Sequence, residues 1–340
     1  MPLVPTSSVM LSRTKERLWD DLTKPRGILL SLGLLFALIA PLFLQDFQLS
    51  IILQIIIFIL AVESWNLLAG YYGMFSFTHA ALYGVGAYAT VIAAAEYGVP
   101  PLITPFIGGL IAGLASLPIT IVALRLGGAY IAMVTLAYAE IIYLAAITFR
   151  DITGGPTGYT GFNALFGGNR VLLYYYVFLI VAVIMIAQYI LLVSRFGLVA
   201  RAIRESEDAA QMLGNNTYRH KLVGFFIGSA FAGVAGGLQA YNILIISPPM
   251  LELNQMIQFM AMNVIGGLGT FGGPIVGVVV VFSIAELLRG IIQSRLLVWG
   301  LLLIVIILFF PTGIAGVEVK REAFTKRLAQ LRRKIPKIGR

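Results

Sequence analysis

The stretch Ser194-Arg-Phe-Gly-Leu-Val-Ala-Arg-Ala-Ile-Arg-Glu-Ser-Glu-Asp-Ala-Ala-Gln-Met-Leu-Gly-Asn-Asn-Thr-Tyr-Arg-His-Lys221 is a polar island between two long apolar runs, and its reading decides the fold. It is too long for a turn and too regularly patterned for a random loop. Leu198, Ala202, Ala209, Met212 and Leu213 are apolar, while Arg201, Arg204, Glu205, Glu207 and Asp208 are charged. Arg204 and Asp208 stand four apart, where they can pair on one helix face. Gly214 followed by Asn215 and Asn216 is a helix stop. The island therefore predicts a short amphipathic helix lying along a membrane surface, flanked by basic residues.

The runs on either side make the surrounding solvent a bilayer. Of 340 residues, 59% are hydrophobic and 11% charged, against about 25% charged in ordinary soluble domains. A crossing helix needs about 20 apolar residues. Runs that qualify, or nearly do, are 27–44, 50–69, 73–95, 102–124, 128–149, 172–193, 222–246, 254–268, 273–289 and 296–312. The expectation is an all-α, polytopic membrane protein of about ten transmembrane helices, with eight to eleven tolerable. The eighth and ninth runs are short and separated by Gly266-Gly-Leu-Gly-Thr-Phe-Gly-Gly-Pro274, so they also fit one broken hairpin that does not fully cross.

Basic residues orient the spans, because Lys and Arg concentrate on the cytoplasmic side. With ten spans and both termini cytoplasmic, that side holds the five in 1–26 (Arg13, Lys15, Arg17, Lys24, Arg26), Arg125, the island's Arg195, Arg201, Arg204, Arg219 and Lys221, and nine between Lys320 and Arg340. Only Arg150, Arg170, Arg289 and Arg295 of the 24 remain for the outer side. The division expected is a basic cytoplasmic arm over 1–26, a transmembrane domain over 27–312 with a cytoplasmic loop at 194–221, and a basic tail over 313–340 lying on anionic lipid. The arm lacks the short apolar region and small-residue cleavage site of a signal peptide. The net charge of +9 is accounted for by these flanks, and no nucleic-acid partner is expected. There is no cysteine and only His79 and His220, which excludes disulfides, thiol nucleophiles and Cys- or His-rich metal sites.

Polar residues inside apolar runs ask for a reason. A charge centred in a span costs at least about 2.5 kcal/mol, so Glu63, Glu140 and Glu286 should face protein or water. Glu140, deep in its run, suggests the lining of a passage. Glu63 and Glu286 lie nearer span ends and suit structural, hydrogen-bonded carboxyls. His79 sits among small residues and aromatics, where helices pack closely, and the simplest role for it is an interhelical hydrogen bond. A proton relay would need carboxylates three or four residues away, and none is present.

Gly267-Leu-Gly-Thr-Phe-Gly272 matches the letters of a dinucleotide fingerprint, but the strand, helix and later acidic residue around it are missing. Thr153-Gly-Gly-Pro-Thr-Gly-Tyr-Thr-Gly161 lacks the Lys-Ser/Thr ending of a phosphate loop. No nucleotide or other cofactor site is expected. Non-helical glycine backbone at membrane depth is tolerated where it is buried in protein or lines a cavity, which makes Gly154, Gly155, Gly266 and Gly267 candidates for gating or packing. Asn66-Leu-Leu-Ala-Gly70 and Asn263-Val-Ile-Gly-Gly267 also resemble each other and hint at an internal repeat, although span polarity does not map onto an inverted five-plus-five scheme.

The run Asp208-Ala-Ala-Gln-Met-Leu-Gly214 resembles the Glu-Ala-Ala motif, followed by Gly, of importer-type ABC permeases, with Asp208 where Glu is usual. Together with Asn66-Leu-Leu-Ala-Gly70, Ser76-Phe-Thr-His-Ala80, Gly86-Ala-Tyr88, Gly128 to Glu140, Thr153 to Gly158, Phe231 to Leu238 and Asn263 to Pro274, the chain resembles the M-type permease subunit of branched-chain amino acid ABC importers. The resemblance runs in order from Glu63 to Pro311; Tyr138-Ala139 and Glu63-Ser-Trp65 depart from it. It implies a multi-pass protein of the cell inner membrane, paired with a homologous H-type permease subunit, two ABC ATPase subunits and a periplasmic or extracytoplasmic substrate-binding protein. ATP would be used by the partners, and this chain would be no enzyme. Arg201, Arg204, Glu205, Asp208, Ala209, Ala210 and Gly214 would then couple the island to an ATPase. Asn66, His79, Glu140, Gly154, Gly155, Asn263, Gly266 and Gly267 would line or gate the passage.

Two alternatives stay open at this point. The same machine could carry urea or short amides. An ion-coupled secondary transporter could instead use Glu140 and His79 as proton carriers. An intramembrane enzyme is disfavoured by the lack of paired catalytic groups.

Overall fold

The computed structural model describes residues 41, 43–126, 128 and 130–287. The arm, the tail, the span at 296–312 and nearly all of the span at 27–44 lie outside the described residues. The chain is helical, and among the described residues the only β pairing is an isolated bridge between Tyr159 and Ile246. The helices are α1 (Asp46–Asn66, prolonged by a π-helical turn at Leu67–Tyr71), α2 (His79–Ala95), α3 (Thr104–Leu126), α4 (Tyr130–Thr148), α5 (Arg150–Thr153), α6 (Arg170–Val193), α7 (Arg195–Glu205), α8 (Glu207–Met212), α9 (Thr217–Ile243), α10 (Leu253–Gly266) and α11 (Gly273–Leu287).

Among the described residues five helices, α1 with its π turn, α3, α4, α6 and α9, are long and apolar enough to cross a bilayer. The expected span at 73–95 is shorter than anticipated, since α2 begins only at His79. Gly73 takes a left-handed φ of 71° and breaks the helix. The backbone that follows is held by specific donors: Trp65 Nε1 donates to the Ser76 carbonyl at 2.8 Å, and the Phe77 amide donates to Thr135 Oγ1 at 3.0 Å. Those bonds give irregular backbone its partners inside the protein, the condition for tolerating it at membrane depth. α10, with 14 residues, rises only about 21 Å at 1.5 Å per residue, less than a hydrocarbon core of about 30 Å. It packs against α11 across the loop 267–272, with Gly266 against Gly273 and Gly277.

Small residues set the centre of the bundle. α9 packs chiefly on α3 and α2, which also pack on each other. A Cβ at Gly86 would collide with the Gly233 backbone, one at Gly108 with the Gly86 carbonyl, and one at Gly236 with the Tyr83 carbonyl. These helices touch backbone to backbone, the arrangement small residues permit in membranes. A second body of apolar side chains, including Leu53, Ile57, Leu60, Trp65, Tyr83, Phe259 and Met262, joins α1, α2 and α10.

The ends of the described helices fall on two sides. Gly70 and Gly269 both lie against Arg204 of the island, and Gly128 lines a cleft with it. On the opposite side Arg170 Nη1 donates to the Asn242 carbonyl at 3.0 Å, and Tyr159 pairs with Ile246 and donates to Glu96 Oε1 at 2.8 Å. Arg170 therefore sits on the side opposite the island.

Candidate functional site

The island is two helices, not one. Ser206 is extended (φ −160°, ψ 112°), ending α7 and capping α8 by accepting from the Ala209 amide at 3.3 Å. The expected pairing of Arg204 with Asp208 on one helix face is lost at this bend. The entry is tight because a Cβ at Gly197 would run into the Leu192 carbonyl, and Ser194 caps α7 by accepting from the Phe196 amide. The exit is as expected. Gly214 takes φ 84°, and Asn216 caps α9 by accepting from the Arg219 amide at 3.0 Å. Phe196 stacks on His220 at 4.4 Å between centroids, and His220 Nδ1 lies 2.8 Å from the Tyr72 hydroxyl, tying the start of the island to the loop after α1.

The residues expected to face a partner divide into two sets. Arg201 and Arg204 are exposed residues that each send a guanidinium nitrogen to a backbone carbonyl of the bundle. Arg201 Nη2 donates to the Leu192 carbonyl at 3.2 Å and lies 5.4 Å from the Tyr71 ring centroid. Arg204 Nη1 donates to the Gly70 carbonyl. Each cation thus serves a carbonyl near a helix C-terminus, where backbone acceptors lack intrahelical donors and the dipole is negative. Ala210 is buried, at 1% exposure, within a cluster that includes Leu67, Tyr71, Tyr72 and Ile203. Glu205, Asp208, Ala209 and Gly214 are exposed, and beside them stand two large apolar side chains, Met212 at 87% and Leu213 at 79% exposure. Lys221 pairs with Glu207 at 2.5 Å. That pair, with Arg204, Tyr72 to Phe75, Gly128, Ile131, Ala132 and Ile203, lines a cleft of about 350 Å³ on the island side.

Above the island lie the helix breaks. Asn66 accepts from the Gly269 amide at 2.8 Å and donates to the Thr270 carbonyl at 3.1 Å, while Asn263 donates to the Val62 carbonyl at 3.2 Å. Asn66 Nδ2 also lies 3.3 Å from both oxygens of the fully buried Glu63, the hydrogen-bonded structural carboxyl foreseen there. His79 Nε2 lies 2.8 Å from Ser64 Oγ, which is the interhelical bond anticipated for it; Nδ1 has no partner among the described residues. Gly266 meets the backbone of Gly273 and Gly277, and Gly267 takes φ 125°. Gly154 and Gly155, with φ 76° and 61°, form a turn on the opposite side, stabilised by Thr153 Oγ1 donating to the Ala146 carbonyl at 2.6 Å. Glu140 stands on an exposed face of α4, apart from all of these. The side chain of Glu286 lies outside the described ones. Among the described residues no three His, Asp or Glu side chains converge as metal ligands would.

Sequence reading missed Gly269, Thr270, Tyr72 and Phe196 as parts of this junction. The paired Asn-x-x-x-Gly runs were the available signal for the first two.

Residues 47–311 match the family model described as branched-chain amino acid transport system / permease component. The chain is 27% identical over 327 residues to the high-affinity branched-chain amino acid transport system permease protein LivM of Salmonella typhimurium, covering 87% of this chain and 76% of that one. LivM of Escherichia coli K12 matches at the same identity and coverage. LivH of the same E. coli strain is 37% identical over 126 residues, 36% of this chain and 40% of that one. No solved structure matches the chain.

Proposed function

Since the chain belongs to the family of permease components of branched-chain amino acid transport systems, we propose that it forms one half of a membrane passage for leucine, isoleucine and valine in an ATP-driven importer. It works beside an H-type permease subunit, with two ATPase subunits on the island side and a binding protein on the other. The chain carries out no chemistry itself. It lies in the inner membrane, with the island in the cytoplasm, as the asymmetry of Lys and Arg favours. Glu140, His79, Asn66, Asn263 and the glycine breaks belong to the passage or its gates.

One observation carries this reading. A charged, doubly capped helix pair outside the apolar helices presents Met212 and Leu213 to solvent, where a chain without a partner would leave an apolar cost uncompensated. The surface fits a groove on a soluble ATPase, with Glu205 and Asp208 fixing register by charge. ATP-driven closure of the ATPases then moves the island and biases the helices it touches between two arrangements.

The test is reconstitution into liposomes with the partner permease, the ATPases and the binding protein. Leucine accumulation that requires ATP inside the cytoplasmic compartment is expected. Uptake by this chain alone, driven by a pH gradient and indifferent to ATP, would sink the proposal. Uptake of urea but not leucine would leave the machine and change its cargo.

A further inference from the structure

We propose that Arg204 is not part of the surface the ATPase reads but is the residue that passes the island's motion to the membrane helices. This rests on the island being the ATPase contact. Glu205, Asp208, Met212 and Leu213 are exposed; Arg204 is exposed as well, but its guanidinium is tied to the bundle through Nη1, which donates to the Gly70 carbonyl. Its Cβ and Cγ lie against Gly73, and a Cβ at Gly269 would meet its Nη1.

The position of Gly70 gives that bond its consequence. Leu67–Tyr71 is a π-helical turn, a distortion that often marks functional sites. The amides of Tyr72 and Met74 both return to the Leu68 carbonyl, at 3.3 and 3.0 Å, so the helix ends in a tight knot with the Gly70 carbonyl turned to Arg204. One residue of the island therefore touches three breaks at once: the end of α1 at Gly70, the re-entrant backbone at Gly73, and the loop between α10 and α11 at Gly269. Asn66 then joins the first of these to the third through its bonds to Gly269 and Thr270.

Glycine at 70, 73 and 269 is what lets a guanidinium fill this junction. Gly73 and Gly269 have φ of 71° and 76°, and a side chain at Gly70 would strike Asn66 and the Gly269 backbone. Arg suits the place because its planar, permanently charged head keeps several donors on a long stem. A displacement of α7 relative to the bundle has to break, drag or re-form this contact. α8, beyond the Ser206 bend, carries most of the exposed docking residues; it is tied to α9 by the Glu207–Lys221 pair and packs Ala210 beside Leu67 and Tyr71, but neither contact reaches Gly70, Gly73 or Gly269.

The test compares Arg204→Gln, Arg204→Lys and Asp208→Arg in the assembled importer. For Arg204→Gln the ATPase subunits are expected to remain bound through purification and ATP turnover to stay within about twofold. The ATP hydrolysed per leucine moved should rise at least tenfold. Arg204→Lys, which keeps a donor and a charge, should restore most of the coupling. Asp208→Arg should instead lose the ATPase subunits. If Arg204→Gln does not accumulate in membranes, Arg204→Met, which keeps the length of the stem, is read in the same way. Unchanged coupling in Arg204→Gln overturns the proposal, as does loss of the ATPase subunits from that variant, which would return Arg204 to the docking surface. If the wild-type complex moves no leucine with ATP, the functional reading itself fails.

Discussion

Asn66 and Asn263 occupy matched places in two Asn-x-x-x-Gly runs, and each reaches across to the backbone of the other's segment. Asn66 binds the Gly269 amide and the Thr270 carbonyl; Asn263 binds the Val62 carbonyl. The two helices bearing them end on the same side, beside Arg204, so the likeness of the runs reflects two parallel helices braced against each other.

The brace is unequal, and its mutants should be as well. Asn66→Ala strands the partly buried Gly269 amide and Thr270 carbonyl, and with about 1–3 kcal/mol as the ceiling for an unsatisfied buried group it should lower the melting temperature of the detergent-solubilised protein. Asn263 gives a single bond, and its Oδ1 has no partner among the described residues. Asn263→Ala should therefore cost less. Equal shifts for the two variants would count against the arrangement.

Close backbone contact at the centre predicts intolerance of a single methyl. Gly86→Ala forces a Cβ into Gly233, and overpacking of this kind costs about 1–3 kcal/mol or more. Gly98→Ala is the control: its φ is 62°, but open space surrounds it, so only backbone strain of about 1 kcal/mol is expected. Thermal unfolding of the two variants should separate them, with Gly86→Ala the less stable.

Exposure of Leu213 and Met212 predicts a loss of assembly without a loss of fold. Leu213→Asp should leave the melting temperature of the isolated chain within about 2 °C, because a solvent-exposed substitution typically changes stability by less than about 0.5 kcal/mol. Retention of the ATPase subunits on purification should fall at least tenfold. Normal retention would remove the apolar tip from the docking surface.

Glu140 lies on a face of α4 that is exposed among the described residues, yet lipid is a costly neighbour for a carboxylate. If Glu140 serves the proposed passage, water there or the partner permease meets it. Glu140→Leu should insert at least as well as the parent while leucine uptake falls several-fold, and Glu140→Gln should retain more uptake than Glu140→Leu. Full uptake by Glu140→Leu would exclude Glu140 from the passage.

The helices and the island's limits were legible because they depend on local chemistry: apolar runs, Ser194 before a helix, Gly214 after one. The start of α2 was not legible, since Met74 to Ala81 stays largely apolar whether the backbone is helical or held by Trp65 and Thr135. Ser206 carries its own signal, a cap followed by Glu207 and Asp208, but the helical spacing of charges runs through it and masks the bend. Arg204 reads as a surface charge until its partner is known, and Gly70 lies far away in sequence. Periodicity can say that a residue is polar; it cannot say which way a long side chain leans.

The glycine crossings of α2, α3 and α9 have a mechanical consequence. An interface made of backbone has almost no rotamers to rearrange, so it cannot slide by re-packing as side-chain interfaces do. These three helices are expected to move as one unit, with rearrangement falling to joints where long side chains intervene, such as those at Arg204 and Asn66.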